Sequence, residues 1–206
     1  GAAPPLTTPC QDLVIMMCRL HQPLERLKCM RLRRTFEASV ERLSGVAAVV
    51  RQATNELRAS KALQEVLGLT LAVGNHLNAG RALGDARAFD LSFLQNLRDV
   101  RTGDGESTLL HFIAETLHSD VPNGSFADRL ADELASLPTA ARVHWSTERL
   151  RLQKLGAVIE GGSALVKSAP CGDGFAAAFS QMLADASREI GRLREHFDSV
   201  DECCRA

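Results

Sequence analysis

The sequence predicts an all-α fold. Three observations carry that prediction. Apolar residues recur every three or four positions along several long stretches, the repeat of a helix with one buried face. Alanine, leucine and arginine dominate, aromatics make up 4% and tyrosine is absent, a composition that favours helix over sheet. Glycine, proline and asparagine gather between the periodic stretches, where helices stop. The 206 residues are enough for one or two domains with a sizeable core. The charge balance, 24 basic against 25 acidic, implies no whole-chain attraction to nucleic acid or membrane. No apolar run reaches the ~18 residues of a membrane span, and the opening GAAPPLTTP does not read as a signal peptide. The six cysteines form no CxxC pair and read as reduced intracellular thiols.

Residues 1–9 are a proline-rich, flexible lead. Cys10 to Leu20 is a short apolar helix. Pro23 opens a second helix, whose period runs through Phe36, Val40, Leu43, Ala47, Val50 and Leu57 to about Arg58. Its first turns are apolar on the side of Leu24, Leu27 and Met30. They are basic on the other, with Arg26, Lys28, Arg31, Arg33 and Arg34. That basic side reads as a solvated face or as a patch for an acidic partner. No aromatics are interleaved with it, which speaks against single-stranded nucleic acid.

A third helix runs from Ser60, its N-cap, to Leu77, with Asn78 and Gly80 as the stop. Leu63, Val66, Leu67, Leu71 and Leu77 carry its period. Gly74 falls on that stripe, where glycine costs about 1 kcal/mol relative to alanine. Asn75 and Asn78 share a helix edge. Two readings stand: a small notch rimmed with amides that receives a segment of chain, or a close contact between two helices of one domain with the asparagines as caps.

A loop and short helix lead to Ser107 or Thr108, which caps a helix to about His118. Leu110, Ile113 and Leu117 form its core face, with Leu109 and Phe112 beside it. His111, Glu115 and His118 share another face at a spacing that suits a metal. No further ligand pair accompanies them, so no metal site is assigned. Asp120–Ser125 is a turn. Phe126–Leu137 is a helix ended by Pro138. Thr139 to about Lys167 is helical through Val143, Leu150, Leu152, Leu155, Val158 and Ile159, and is interrupted or loosened at Gly161 and Gly162. After the loop Ser168–Gly174 comes the most regular stripe: Phe175, Phe179, Met182, Ala186, Ile190, Leu193, Phe197, Val200 and Cys204. No GxSxG, HExxH or phosphate-loop pattern occurs, and no enzyme is predicted.

The run GNHLNAG at 74–80, followed by Gly84, Phe89, Leu91 and then Thr108, Leu109, Leu110 and His111, resembles the signature of the formin homology 2 (FH2) domain. Two departures stand out. Ala88 occupies a position where that family has glycine, and Arg101 one where it has an actin-contacting lysine. Arginine keeps the charge but not the compact ammonium.

The resemblance implies an elongated multi-helix arrangement over residues 10–206. Residues 10–58 are like the knob, 59–125 like the post region with the glycine–asparagine signature, 126–167 like the coiled-coil helices and 172–206 like the long post helix. It also implies actin-filament nucleation and processive barbed-end capping by a dimer, without covalent chemistry and without a cofactor. Gly74, Asn75, Asn78 and Gly80 would receive the lasso of a second subunit; Arg101, with Arg31, Arg33 and Arg34, would face actin. The implied partners are actin, a second FH2 subunit and, through a neighbouring proline-rich region, profilin–actin, in the cytoplasmic actin cytoskeleton. The lasso, the linker and the start of the knob have no counterpart here. The expectation is therefore a partial domain that does not close a tethered ring alone. The alternatives are a helical protein–protein interaction module that does not act on actin, and a nucleic-acid binder using the basic patch, which balanced charge disfavours.

Overall fold

The computed structural model describes residues 8–81, 84–101, 103, 105–119 and 125–205. The expected flexible lead lies outside them up to residue 7, as does the Asp120–Ser125 turn up to residue 124. Among the described residues all the regular structure is helical, apart from one isolated antiparallel bridge between Arg101 and Thr108. The helices are α1 (Pro9–Arg19), α2 (Pro23–Ala59), α3 (Lys61–Leu77), α4 (Phe93–Asn96), α5 (Leu109–Ser119), α6 (Phe126–Glu133), α7 (Leu137–Ala140), α8 (Trp145–Ser168) and α9 (Gly174–Arg205). None is long and apolar enough to cross a membrane. The chain divides into two compact units, one made of 1–48 with 142–206 and the other of 49–141.

In the first unit, α8 and α9 pack along each other. The predicted stripe of α9 is buried from Phe175 to Val200, with Leu183 added. Met182 is only half-buried and Cys204 is exposed. Phe197 stacks on Trp145, ring centroids 4.5 Å apart. The Trp145 indole N–H donates to Asp201 Oδ1 at 2.6 Å.

Gly161 and Gly162 do not interrupt α8. Gly162 is buried, and a Cβ there would sit 2.6 Å from Cys29 Sγ and 3.1 Å from a Leu183 methyl. The glycine is there for a three-way close approach. α8 begins later than expected, at Trp145, so Val143 precedes the helix.

The inward face of α2 also differs from expectation. Arg26, Cys29, Leu32, Leu43 and Ala47 are buried, whereas Leu24, Leu27 and Met30 are exposed. The cause is tertiary. Arg26 is drawn inward by Asp173, with Nη1 donating to Oδ1 at 3.1 Å and Nη2 pairing with Oδ2. The guanidinium lies 5.0 Å from the centre of the Phe175 ring. Asp173 also accepts the Phe175 N–H at 2.8 Å, holding the first turn of α9. The Arg26 guanidinium keeps this carboxyl below the usual range, with the Phe175 N–H helping. Of the five basic residues only Arg26 is buried; Lys28, Arg31, Arg33 and Arg34 stay exposed. Lys28 pairs with Glu25 at 2.8 Å, and Arg33, though exposed, lies 5.8 Å from the centre of the Phe179 ring.

In the second unit, α3, α5 and α6 pack pairwise. Their core is Ala62, Leu97, Leu109, Ile113, Leu117 and Phe126. α5 therefore turns Leu109 inward, not Leu110, which is 36% exposed. The Arg101–Thr108 bridge sets that rotation: Leu109 N–H donates to Val100 O at 2.8 Å and Leu110 N–H to Leu97 O at 3.0 Å. Pro138 does not end α6. That helix stops at Glu133, and Pro138 sits in the first turn of α7, where proline's missing N–H costs nothing.

Two carboxylates tie the ends of these helices together. Glu133 Oε2 accepts from Ser60 Oγ at 2.7 Å and from Ala62 N at 2.9 Å. Glu56 accepts both the N–H and the hydroxyl of Ser136, each at 2.8 Å. Those donors hold both carboxyls below their ordinary range, the Ser60 hydroxyl first for Glu133 and the Ser136 N–H first for Glu56.

Candidate functional site

The second half of α3 is flanked by two grooves. The helix turns about 100° per residue, so residues 70, 71, 74, 75 and 78 lie on one flank and 72, 73, 76 and 77 on nearly the opposite one. On the first flank, Thr70, Leu71, Gly74, Asn75 and Asn78 face Ala86, Ala88, Phe89 and Phe93 across a groove of 330 Å3. On the second, Ala72, Val73, His76 and Leu77 face Val100, Arg101, Gly103, Leu109 and Phe112 across one of 460 Å3. Both are lined mainly by carbon. Leu77 and Phe112, at 59% and 45% exposed, mark the rim of the second.

Gly74 is open to the groove. A Cβ built there meets nothing within 4 Å, so contact between two helices of the domain is not the reason for the glycine. Gly45 and Gly68 also meet nothing, but they face solvent; Gly74 is half-buried in the groove floor. Helix propensity is given up at Gly74 with no packing gain among the described residues.

The asparagines behave differently from an outward-facing amide rim. Asn75 Oδ1 accepts the Ala86 N–H at 2.9 Å, and its Nδ2 donates to Ala86 O at 2.9 Å. Asn78 Nδ2 donates to Gly74 O at 2.9 Å, and Asn78 O accepts from Arg81 N at 2.9 Å. The Asn75 amide is turned onto its own chain because the segment after α3 folds back beside it, whereas Asn78 is the C-cap of α3 and its amide serves the last turn of that helix. Gly80, at φ +76°, reverses the chain in the left-handed region that glycine enters without strain. It does not line either groove. Gly84, which the signature also contains, lets the returning segment pass under α3: a Cβ there would lie 2.5 Å from Asn78 O. Phe89 meets Phe93 edge-on, centroids 6.2 Å apart.

Arg101 stands at the second groove. Its Nη1 donates to Gly105 O at 3.0 Å, so the guanidinium is steadied by its own loop while the residue stays exposed. His111 Nδ1 is 2.9 Å from Thr108 Oγ1. Among the described residues, no group of three metal-ligating side chains forms around His111, Glu115 and His118. Arg31, Arg33 and Arg34 lie in the first unit and Arg101 in the second.

The Formin Homology 2 Domain family matches this chain over residues 6–206. The chain belongs to that family. Similar proteins come from an animal, a plant and an amoeba. Protein diaphanous homolog 3 of Homo sapiens is 29% identical over 146 residues, covering 71% of this chain and 12% of the relative. Formin-like protein 8 of Oryza sativa subsp. japonica is 29% identical over 196 residues, covering 82% of this chain and 22% of the relative. Formin-H of Dictyostelium discoideum is 38% identical over 98 residues, 47% of this chain and 9% of the relative. This FH2 chain thus corresponds to less than a quarter of the length of those proteins. The second groove needed the structure to be found. Its Arg101 was visible in the signature, but Ala72, Val73, His76 and Val100 carry no pattern that sets them apart from ordinary core residues.

Proposed function

We propose that this FH2 chain works in actin-filament assembly, as part of a dimer that nucleates filaments and stays on the growing barbed end. In this reading, the Gly74 groove receives polypeptide from a second subunit and Arg101 faces actin. No bond is made or broken. Assembly is accelerated because actin subunits are held in a filament-like arrangement, which offsets part of the entropy of nucleation. The site works in the cytoplasm, with profilin–actin delivered through a proline-rich neighbour.

The observation that supports this most is the open floor at Gly74: the helix carries a glycine there although a Cβ at that position would meet no atom within 4 Å, so the groove beside it has room for a further segment of chain. The match to the FH2 family over residues 6–206 supports the class of activity.

The test is pyrene-actin assembly with purified chain, alone and with a lasso segment added, alongside co-sedimentation with filaments. Slowed or altered barbed-end growth is expected, and Arg101→Glu is expected to weaken it. A chain that neither sediments with actin nor changes barbed-end growth, with or without the lasso, removes the actin reading and leaves a helical interaction module of another kind.

A further inference from the structure

We propose that Asn75 is a positioning residue: it holds the 84–89 segment as the far wall of the groove, and the incoming chain is recognised by that wall and not by the asparagine amide. This rests on the reading of the groove as a docking site.

The amide of asparagine has an oxygen with two lone pairs and an NH2 group with two N–H donors. Asn75 commits one of each to a single residue, accepting from Ala86 N and donating to Ala86 O, each at 2.9 Å. A neighbouring strand would satisfy a backbone in the same way, so one side chain substitutes for a strand over one residue. The segment is pinned at three places. Gly84 passes under the Asn78 carbonyl, where a side chain would collide. Ala86 is held by Asn75. Phe89 is steadied edge-on by Phe93. Between these points Ala86, Ala88 and Phe89 form one side of the groove, opposite Leu71 and Gly74.

With both ends of the amide engaged, the groove offers mostly carbon to a guest. Its selectivity then depends on width and shape, which the wall sets. Releasing the middle pin would let Ala86 and Ala88 move and close or blur the groove, although α3 itself would be unchanged.

The test uses the full chain and a synthetic peptide of the lasso segment from the human diaphanous relative. Four variants are compared with the parent: Asn75→Ala, Asn75→Asp, Phe89→Ala, and Asn75→Ala combined with Phe89→Ala. Amide hydrogen exchange at Ala86 reports the wall, and fluorescence anisotropy of the peptide reports docking. Asn75→Ala is expected to speed Ala86 exchange and weaken docking, each by about tenfold, the scale of a lost pair of hydrogen bonds. Asn75→Asp keeps the acceptor and loses the donor, so Ala86 stays partly protected and docking weakens less. In the Phe89→Ala background, Asn75→Ala should change affinity less than about twofold, because both act through one wall.

Full additivity of the two substitutions would mean that Asn75 touches the guest directly, and would overturn the proposal. Unchanged Ala86 exchange in Asn75→Ala would also overturn it. If the parent chain does not bind the peptide, the docking reading fails; the exchange measurement still decides whether Asn75 holds the wall.

Discussion

The unit of residues 8–48 and 142–205 and the unit of residues 49–141 are stabilised in different ways. The first relies on long stripes: Phe175, Phe179, Leu183, Ala186, Ile190, Leu193, Phe197 and Val200 bury one face of a single helix. Its polar contacts mostly decorate the outside, as in Arg149 with Asp198 and Arg194 with Glu160. The second has shorter helices and more loop. It depends on side chains that satisfy backbone at helix ends and in the returning segment: Glu133 at Ser60 and Ala62, Glu56 at Ser136, Asn75 at Ala86. The grooves beside Gly74 and Arg101 belong to this second unit. The first unit has grooves too, one of 670 Å3 between α8 and α9 and one of 330 Å3 beside α1, α2 and α9, but they lie along the outside of helix stripes and away from the signature residues. Loops held by side chains can be set at a distance from a helix, and in the second unit the gaps beside Gly74 and Arg101 are the candidate site.

The largest effect expected from this contrast is in the first unit. Phe197→Ala removes a fully buried ring stacked on Trp145. It should cost about 3–5 kcal/mol in urea unfolding, with the loss of hydrogen-exchange protection centred on α8 and α9. An equal loss of protection at Ile113 would show that the two units are not energetically separate.

Next comes Gly162→Val, which forces β-branched bulk against Cys29 and Leu183. Overpacking of this kind costs about 1–3 kcal/mol. A neutral change in the unfolding midpoint would mean that α2 and α8 can move apart freely.

In the second unit, the carboxylates predict an acid response. Glu133 and Glu56 have folded values below their ordinary 4.5. A depressed carboxyl contributes stability that is present above its unfolded value and is lost as pH falls through its folded value. Stability should therefore drop as pH falls from about 4.5, and Glu133→Gln should flatten that slope. Urea midpoints measured across this range would check it. Asp173 predicts a similar loss in the first unit, from its ordinary 3.8 downward.

The smallest effect carries the most about function. Gly74→Ala should stabilise the chain by about 0.5–1 kcal/mol, because the helix gains propensity and the methyl meets open space. It should also weaken peptide docking. A gain in stability with no loss of docking would leave the glycine without a purpose.

The legible part of this protein was its periodicity. The faces of α9 and of α3 near Val66, the Ser60 cap and the stop at Asn78 follow from local rules, because a helix repeats and its ends need particular side chains. The signature residues were legible too, as a pattern. What each one does was not. Asn75 could be read as a notch amide or as a helix cap until a segment eleven residues later returned to it. Gly74 admitted two readings until its surroundings were known.

By itself, the sequence determined that the chain is helical, where most helices begin and end, and which family signature it carries, since these depend on neighbours a few residues apart. Tertiary structure decided which side of α2 faces inward, that Leu109 and not Leu110 enters the core, and that the floor at Gly74 is open. Each of those depends on a partner distant in sequence: Asp173 for Arg26, Val100 for Leu109, Ala86 for Asn75. Local periodicity proposes several faces of similar quality, and the long-range contact with the better hydrogen bonds and packing selects one.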